Sequence, residues 1–183
     1  MLGPQAETVL KKWNYPFETL PRWGSIDPWC TDVAVEIPEA DVLFLIYSIG
    51  EWGMCKYCGR VVVFSGHENP KLLFLINKPL GITSDIQPFI TSDRRYIIMS
   101  SNEGVLFFDI ILKRVSGIKL VDHLMAGDCT VEETGSHTLR LINKYQKING
   151  NILDVTIDPE HLPWRSANGE QFEPENLFQY YEG

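Results

Sequence analysis

The chain has 183 residues, 44% apolar and 22% charged. That length is enough for one domain burying about two thirds of its unfolded surface, and the composition excludes a mostly disordered chain, a collagen and a bare disulfide scaffold. The formal charge of −8 argues against nonspecific binding to nucleic acid, which needs clustered Lys and Arg to release counterions from a phosphate backbone.

Residues 1–41 interleave Trp13, Tyr15, Phe17, Trp23 and Trp29 with Pro4, Pro16, Pro21, Pro28 and Pro38. Only 8–15 has the pattern of a short helix, and the remainder is expected to run irregularly across a core as a wrapping segment, because aromatics this dense are costly to leave in water. The first seven residues carry neither the basic nor the apolar region of a signal peptide. The most apolar windows, 42–49 and 105–112, are far short of the roughly 20 residues that span a bilayer. Four cysteines, Cys30, Cys55, Cys58 and Cys129, are too few for a disulfide framework, and no Asn-x-Ser/Thr sequon is present. A soluble, reduced, cytoplasmic protein is expected.

From residue 42 the texture changes to short apolar runs at 42–47, 60–64, 72–76, 96–99, 105–112, 139–142 and 152–157, separated by Gly, Pro and Asn. Runs of this length rich in Val, Ile, Leu and Phe predict strands. Asn149-Gly150 is the clearest hairpin turn, since both residues tolerate the positive φ of a type I′ loop. A helical turn is expected only at 120–125 within this body. The fold class expected is mainly β, with antiparallel hairpins in propeller-like or sandwich sheets and short helices at the termini, all in one domain: wrapping segment 1–41, β body 42–157, C-terminal segment 158–183.

An offset of 44 aligns Asp41-Val42 with Asp85-Ile86, Ser48 with Ser92, and Val61-Val62-Val63-Phe64 with Val105-Leu106-Phe107-Phe108; a further 44 brings Tyr96-Ile97-Ile98 onto Arg140-Leu141-Ile142. Self-similarity at 40–45 residues is the period of a four-stranded propeller blade. The stretch 92–109, Ser-Asp-Arg-Arg-Tyr-Ile-Ile-Met-Ser-Ser-Asn-Glu-Gly-Val-Leu-Phe-Phe-Asp, resembles the middle strands of such a blade, within a region of about 86–120. Within 86–120 the Trp-Asp and Gly-His signatures of the WD type are missing.

Motifs of chemistry are sparse. Cys55-Lys56-Tyr57-Cys58-Gly59 has the spacing of half a zinc knuckle, with His67 as the local candidate for a third ligand and His123, His137 and His161 elsewhere. No metal, cofactor or catalytic residue is assigned. There is no Gly-x-Ser-x-Gly elbow or phosphate-cradling glycine pattern, and Cys129 near His123 and His137 forms no recognisable dyad. Glu132 and Glu133 are adjacent, so on a strand they point to opposite faces. Arg94-Arg95 and Lys113-Arg114 fall at turns or strand ends, where charge blunts a sheet edge.

The ends hold the acidity. Residues 158–183 contain six acids against one base, residues 1–41 seven against three, and the body between them twelve bases against eleven acids. Near the C-terminus, Glu170, Glu173 and Glu175 interleave with Phe172, Phe178, Tyr180 and Tyr181. Aromatics anchor interface cores and an acidic rim steers a basic partner, so Glu170, Phe172, Glu173, Glu175, Tyr180 and Tyr181 are the expected partner-binding residues. The profile is similar in type to that of immunity proteins that neutralise bacterial toxins, which implies a non-catalytic inhibitor covering the cleft of a basic protein such as a nuclease, with no direct contact to nucleic acid or membrane. The alternative expected from sequence is a metal- or redox-dependent enzyme or sensor built on Cys55 and Cys58; a scaffold assembling with its own copies is a third.

Overall fold

Apolar runs without polar alternation belong to strands buried on both faces, and such strands dominate this chain. The computed structural model describes residues 4–16, 33–48, 58–78, 80–81, 87–101, 103–120, 129–135, 138–148 and 151–181. It is mainly β, with antiparallel sheets and few short helices. In chain order the elements are α1 (Pro4–Lys12), β1 (Val33–Ile37), β2 (Val42–Ser48), β3 (Cys58–Ser65), β4 (Lys71–Ile76), β5 (Leu80–Gly81), β6 (Phe89–Ile90), β7 (Tyr96–Ser100) and β8 (Val105–Asp109). They continue with β9 (Arg114–Leu120), β10 (Cys129–Gly135), β11 (Thr138–Ile148), β12 (Asn151–Ile157), β13 (Arg165–Ser166), β14 (Glu170–Phe172), α2 (Pro174–Leu177) and β15 (Phe178–Tyr181). The chain divides into two compact units, Met1–Ser84 with Ala167–Glu173, and Asp85–Ser166 with Pro174–Gly183.

The first unit is a sheet of order β1-β2-β3-β4-β14, with β5 also paired to β3. All pairs are antiparallel except β14 on β4, which is parallel and sets Glu170 opposite Phe74 and Phe172 opposite Ile76. One face packs under α1: Ala6 and Leu10, four residues apart and so stacked on one side of the helix, join Trp13 against Leu43, Leu45, Tyr47, Val62, Phe64 and Leu75. Phe44, Ile46, Val61, Val63, Phe74 and Ile76, which alternate with these, are buried as well. Burying a side chain of this kind contributes about 1.5–3 kcal/mol, which accounts for the unbroken apolar runs.

The helix expected at 8–15 sits earlier, at Pro4–Lys12. It stops because Asn14 turns left-handed at φ 50°. The amides of Asn14 and Tyr15 then donate to the carbonyls of Lys11 and Leu10, the Schellman closure that satisfies the last carbonyls of a helix. Residues 33–37, expected in the irregular wrapping segment, form edge strand β1; the alternation Val33, Val35, Ile37 is its signal in the sequence. Residues 17–32, with Trp23 and Trp29, lie outside the described residues.

The second unit holds a sheet of order β13-β9-β8-β7-β6, with β15 parallel to β9, and a three-stranded sheet β10-β11-β12. The two sheets share one core: Tyr96, Ile98, Val105, Phe107 and Ile118 of the first cluster with Leu139, Leu141 and Ile157 of the second. The far face of the larger sheet, with Ile97, Met99, Leu106 and Phe108, is buried too. The 105–112 run ends as a strand at Asp109, and β10 forms where no strand was expected. Ile148 pairs with Asn151, so β11 and β12 are separated by two residues, although Asn149 and Gly150 themselves lie outside the described residues. So does 121–128, which holds most of the helical turn expected at 120–125; Leu120 ends β9. The offset of 44 carries Val61–Phe64 of β3 onto 105–108 of β8, each a middle strand between its antiparallel neighbours. Among the described residues no helix is long and apolar enough to cross a membrane.

The docking of α1 depends in part on Glu36 of β1, whose Oε2 accepts from Lys12 Nζ at 2.7 Å and Trp13 Nε1 at 3.2 Å. The Lys12 hydrogen bond, opposed by desolvation and aided by Trp13, holds this carboxyl below its usual range. A depressed carboxyl stabilises the fold above its unfolded value, and that contribution is lost as pH falls through the folded value. Glu36→Gln should therefore cost about 0.5–1 kcal/mol at neutral pH, with the gap to the parent closing in urea melts as pH falls below the usual carboxylate range.

Candidate functional site

The C-terminal segment supplies strands to both units. From Ala167 to Glu173 it belongs to the first, where the Gly169 amide donates to the Leu73 carbonyl at 2.8 Å and β14 then lies along β4. Phe172 is buried, its ring edge-on to Phe74 with centroids 6.4 Å apart. Glu170 is exposed. Glu173 accepts from Asn77 Nδ2 at 3.0 Å and lies 3.5 Å from Lys78 Nζ.

Glu173 also faces a buried cation. Tyr47 pairs with Arg60, and Val62 with Leu75, so Tyr47, Arg60 and Asn77 come to one end of this sheet. Arg60 is 4% exposed, and its Nε has no hydrogen-bond partner among the described residues. Desolvation lowers the Arg60 pKa, while Tyr47 and Glu173 act to restore it. Glu173 is thus partly committed to balancing charge inside its own unit. Tyr47 is pushed up in turn, first by burial.

From Pro174 the segment belongs to the second unit. The sequence of 174–181 could form one or two helical turns; α2 ends at Leu177, and Phe178–Tyr181 extend as β15 along Gly117–Leu120 of β9. Two glycines make the seat. A Cβ at Gly117 would stand 2.9 Å from Phe178 Cδ1 and 3.0 Å from Leu177 Cγ, and one at Gly104 would meet the Ile118 carbonyl oxygen and Phe178 Cδ1 at 2.7 Å. Bare backbone at both positions lets Phe178 lie flat on the sheet. Tyr181 packs on the core, whereas Tyr180 is 73% exposed. Glu175, in α2, is exposed. Of the six residues expected to bind a partner, the structure places Glu170, Phe172 and Glu173 in one unit and Glu175, Tyr180 and Tyr181 in the other.

The second unit also contains an ionic cage that the sequence reading missed. Asp109, fully buried at the end of β8, accepts through Oδ2 from Arg114 Nε at 2.9 Å and Arg95 Nη2 at 3.4 Å, and through Oδ1 from the amides of Ile111 and Leu112 at 3.1 and 2.9 Å. Glu160 continues the network, 2.7 Å from Arg95 Nη1 and 3.6 Å from Arg114 Nη2, and accepts from the Tyr96 hydroxyl at 3.1 Å. The Arg95 and Arg114 guanidiniums lie over the rings of Tyr96 and Trp164, and those two rings stack at 5.9 Å. Burial, opposed by Arg95 and aided by Glu160, pushes the Tyr96 pKa up to about 12. Every charge here has an internal counter-charge, so the arrangement holds structure. The adjacent depression beside Thr91, Asp93, Tyr96 and Glu133 has a volume of about 20 Å³, room for about one water.

Among the described residues no three His, Cys, Asp or Glu side chains gather as a metal would require. Cys58 opens β3 and Cys129 opens β10; Cys30, Cys55, His123 and His137 lie outside the described residues. His67 is exposed beside Trp13, rings 4.9 Å apart, and His161 is paired with Asp158 at 2.8 Å. Glu133 accepts from the Ser92 amide at 2.8 Å, and Glu132 stands opposite Arg140 in the sheet. No family model, curated protein or solved structure matches the chain.

If the glycine seat holds β15, Gly117→Ala should destabilise the protein by about 1–3 kcal/mol, and Gly104→Ala by at least as much. Amide exchange at 178–181 should quicken in Gly117→Ala while β2 and β3 keep their protection. Unchanged exchange at β15 would show that the seat is not what holds the strand.

Proposed function

We propose that the chain is a non-catalytic binding protein, and specifically a cytoplasmic inhibitor of the immunity type that neutralises a basic toxin such as a nuclease by covering its active cleft. The observation that carries this reading is Tyr180: a large aromatic 73% exposed on a strand held to β9 by four register pairs. An aromatic already fixed in place loses little entropy on binding and is a typical anchor of an interface. Glu175 in the same unit, and Glu170 in the other, are exposed acids of the same segment and supply the charge that would favour a basic partner. Within the first unit Glu173 is held by Asn77 and Lys78, and Phe172 packs edge-on to Phe74.

The test is inhibition of DNA or RNA cleavage by basic nuclease toxin domains, with binding followed between about 50 and 500 mM salt. One such domain should be inhibited stoichiometrically, with association weakening as salt screens the charges. Tyr180→Ala should weaken binding about 30-fold, the scale of a 2 kcal/mol anchor. Glu170→Lys with Glu175→Lys should slow association about tenfold or more, and Cys58→Ser should change nothing. A panel without any inhibited nuclease, or binding indifferent to salt and to Tyr180, overturns the proposal; loss of function in Cys58→Ser alone would favour the thiol-based alternative.

A further inference from the structure

The strand that covers β9 is itself a margin of the sheet. β15 pairs with β9 and with no other described strand, and among the described residues 178–181 make no backbone hydrogen bond beyond that ladder. A strand bonds each neighbour through only part of its backbone, so the amides and carbonyls of β15 that point away from β9 are unpaired. Gln179 and Tyr180 are exposed on this strand. The strand is also fixed in place: Phe178 lies in the glycine seat and Tyr181 packs on the core.

The other margins of the described sheets are guarded. Open edges recruit further strands, and proteins blunt them with charge, proline, bulges or shortness. β1 carries Glu36, β12 carries Asp154 and β14 carries Glu170. β10 has Glu132, Glu133 and a register shift before Gly135. β5, β6 and β13 are two residues long. β15, Phe-Gln-Tyr-Tyr, has four residues, no charge and no proline, and three of the four are aromatics of high strand preference. A margin kept for stability alone would gain from a charge at position 180, where the side chain already stands in solvent; it holds a tyrosine instead.

We infer that β15 accepts an extended segment of a basic protein as an added strand, with a β-branched or aromatic residue of that segment packed on Tyr180. The inference rests on the binding reading above and supplies its mode: backbone hydrogen bonds give the hold, and the cross-strand pair at Tyr180 gives selectivity. The unpaired row decides the class of occupant, because only a polypeptide repeats donors and acceptors at strand spacing. Charge decides which polypeptide. Each copy of this chain carries a net −8 and its strand holds no base, so β15 against its own copy would bring two chains of like sign together, whereas a strand bearing Lys or Arg meets a field of opposite sign.

The experiment adds synthetic peptides of about six residues, an ordinary strand length, to the isotope-labelled full chain at up to about 5 mM and follows the backbone amides by NMR. One peptide alternates Val with Lys, one alternates Val with Glu, and a third repeats the first with every amide N-methylated. The lysine peptide should shift the amides of 178–181 and slow their exchange, while those of β2 and β3 stay silent. The glutamate peptide should bind about two- to fivefold more weakly, the range of exposed charge pairs, and N-methylation should weaken binding about tenfold or more. Tyr180→Ala should weaken it about two- to fivefold at unchanged Tm. Silent amides at 178–181, equal binding of the lysine and glutamate peptides, binding that survives N-methylation, or signals of 178–181 that broaden with the chain's own concentration would each overturn the inference. Binding of the lysine peptide at β15 without any inhibited nuclease removes the toxin reading and supports the strand acceptor. An inhibited nuclease whose complex leaves amide exchange at 178–181 unchanged supports that reading and overturns the strand acceptor.

Discussion

Strands that are apolar on both faces constrain everything around them. Leu43 and Leu45 of β2 pack beneath α1, while Phe44 and Ile46 between them are equally buried; in the second unit Ile98 and Phe107 meet the three-stranded sheet, and Ile97 and Phe108 are buried behind them. A strand of this kind cannot stand at an open edge, where its unpaired backbone would recruit other chains. The protein answers with its last residues. β14 covers part of β4, and β13 and β15 cover β9. The C-terminal segment is therefore first a structural closure, and any recognition it performs is done by groups left over from that task.

This explains which parts of the fold are legible in the sequence. Runs such as 42–47, 60–64 and 96–99 declare themselves because burial on both faces is itself the cause of an unbroken apolar run. β9, β10, β14 and β15 do not, because their partners decide their state more than their own residues do. Phe178–Tyr181 shows the mechanism most clearly. Its local sequence suits a helical turn, but Gly117 and Gly104 on neighbouring strands open a flat seat, and pairing with β9 outweighs propensity. Gly104 and Gly117 were the sequence traces of that seat.

The acidity of the C-terminal segment changes meaning in the same way. Composition gives six acids against one base, yet Asp158 pairs with His161, Glu160 with Arg95 and Arg114, and Glu173 with Asn77 and Lys78. These partners lie from three to nearly a hundred residues away, so no local pattern could separate an internal acid from an exposed one. What composition located correctly was the segment's aromatic character; what it could not give was that Phe172 is core and Tyr180 is surface. The long-range Coulomb field of the segment is weaker than its formal charge, which places more of the recognition argument on Tyr180 and less on the acids.

Asp109 shows how the two kinds of role separate. A buried ion pair is poor evidence for stability, since desolvation offsets much of the attraction, and its best-attested use is to specify one arrangement. Here the carboxylate is fully satisfied, by two guanidinium contacts and two backbone amides, and what it specifies is where β8 stops. Stopped at Asp109, the strand leaves Ile111 and Leu112 in the turn, where they face solvent. Elsewhere the described chain follows local rules closely: Asn at a helix end, Asp after a 3-10 turn, glycine where strands approach. Around this turn aliphatics stand in solvent, Lys113 in the turn and Arg94 in the neighbouring loop take positive φ, and a carboxylate has no exposure.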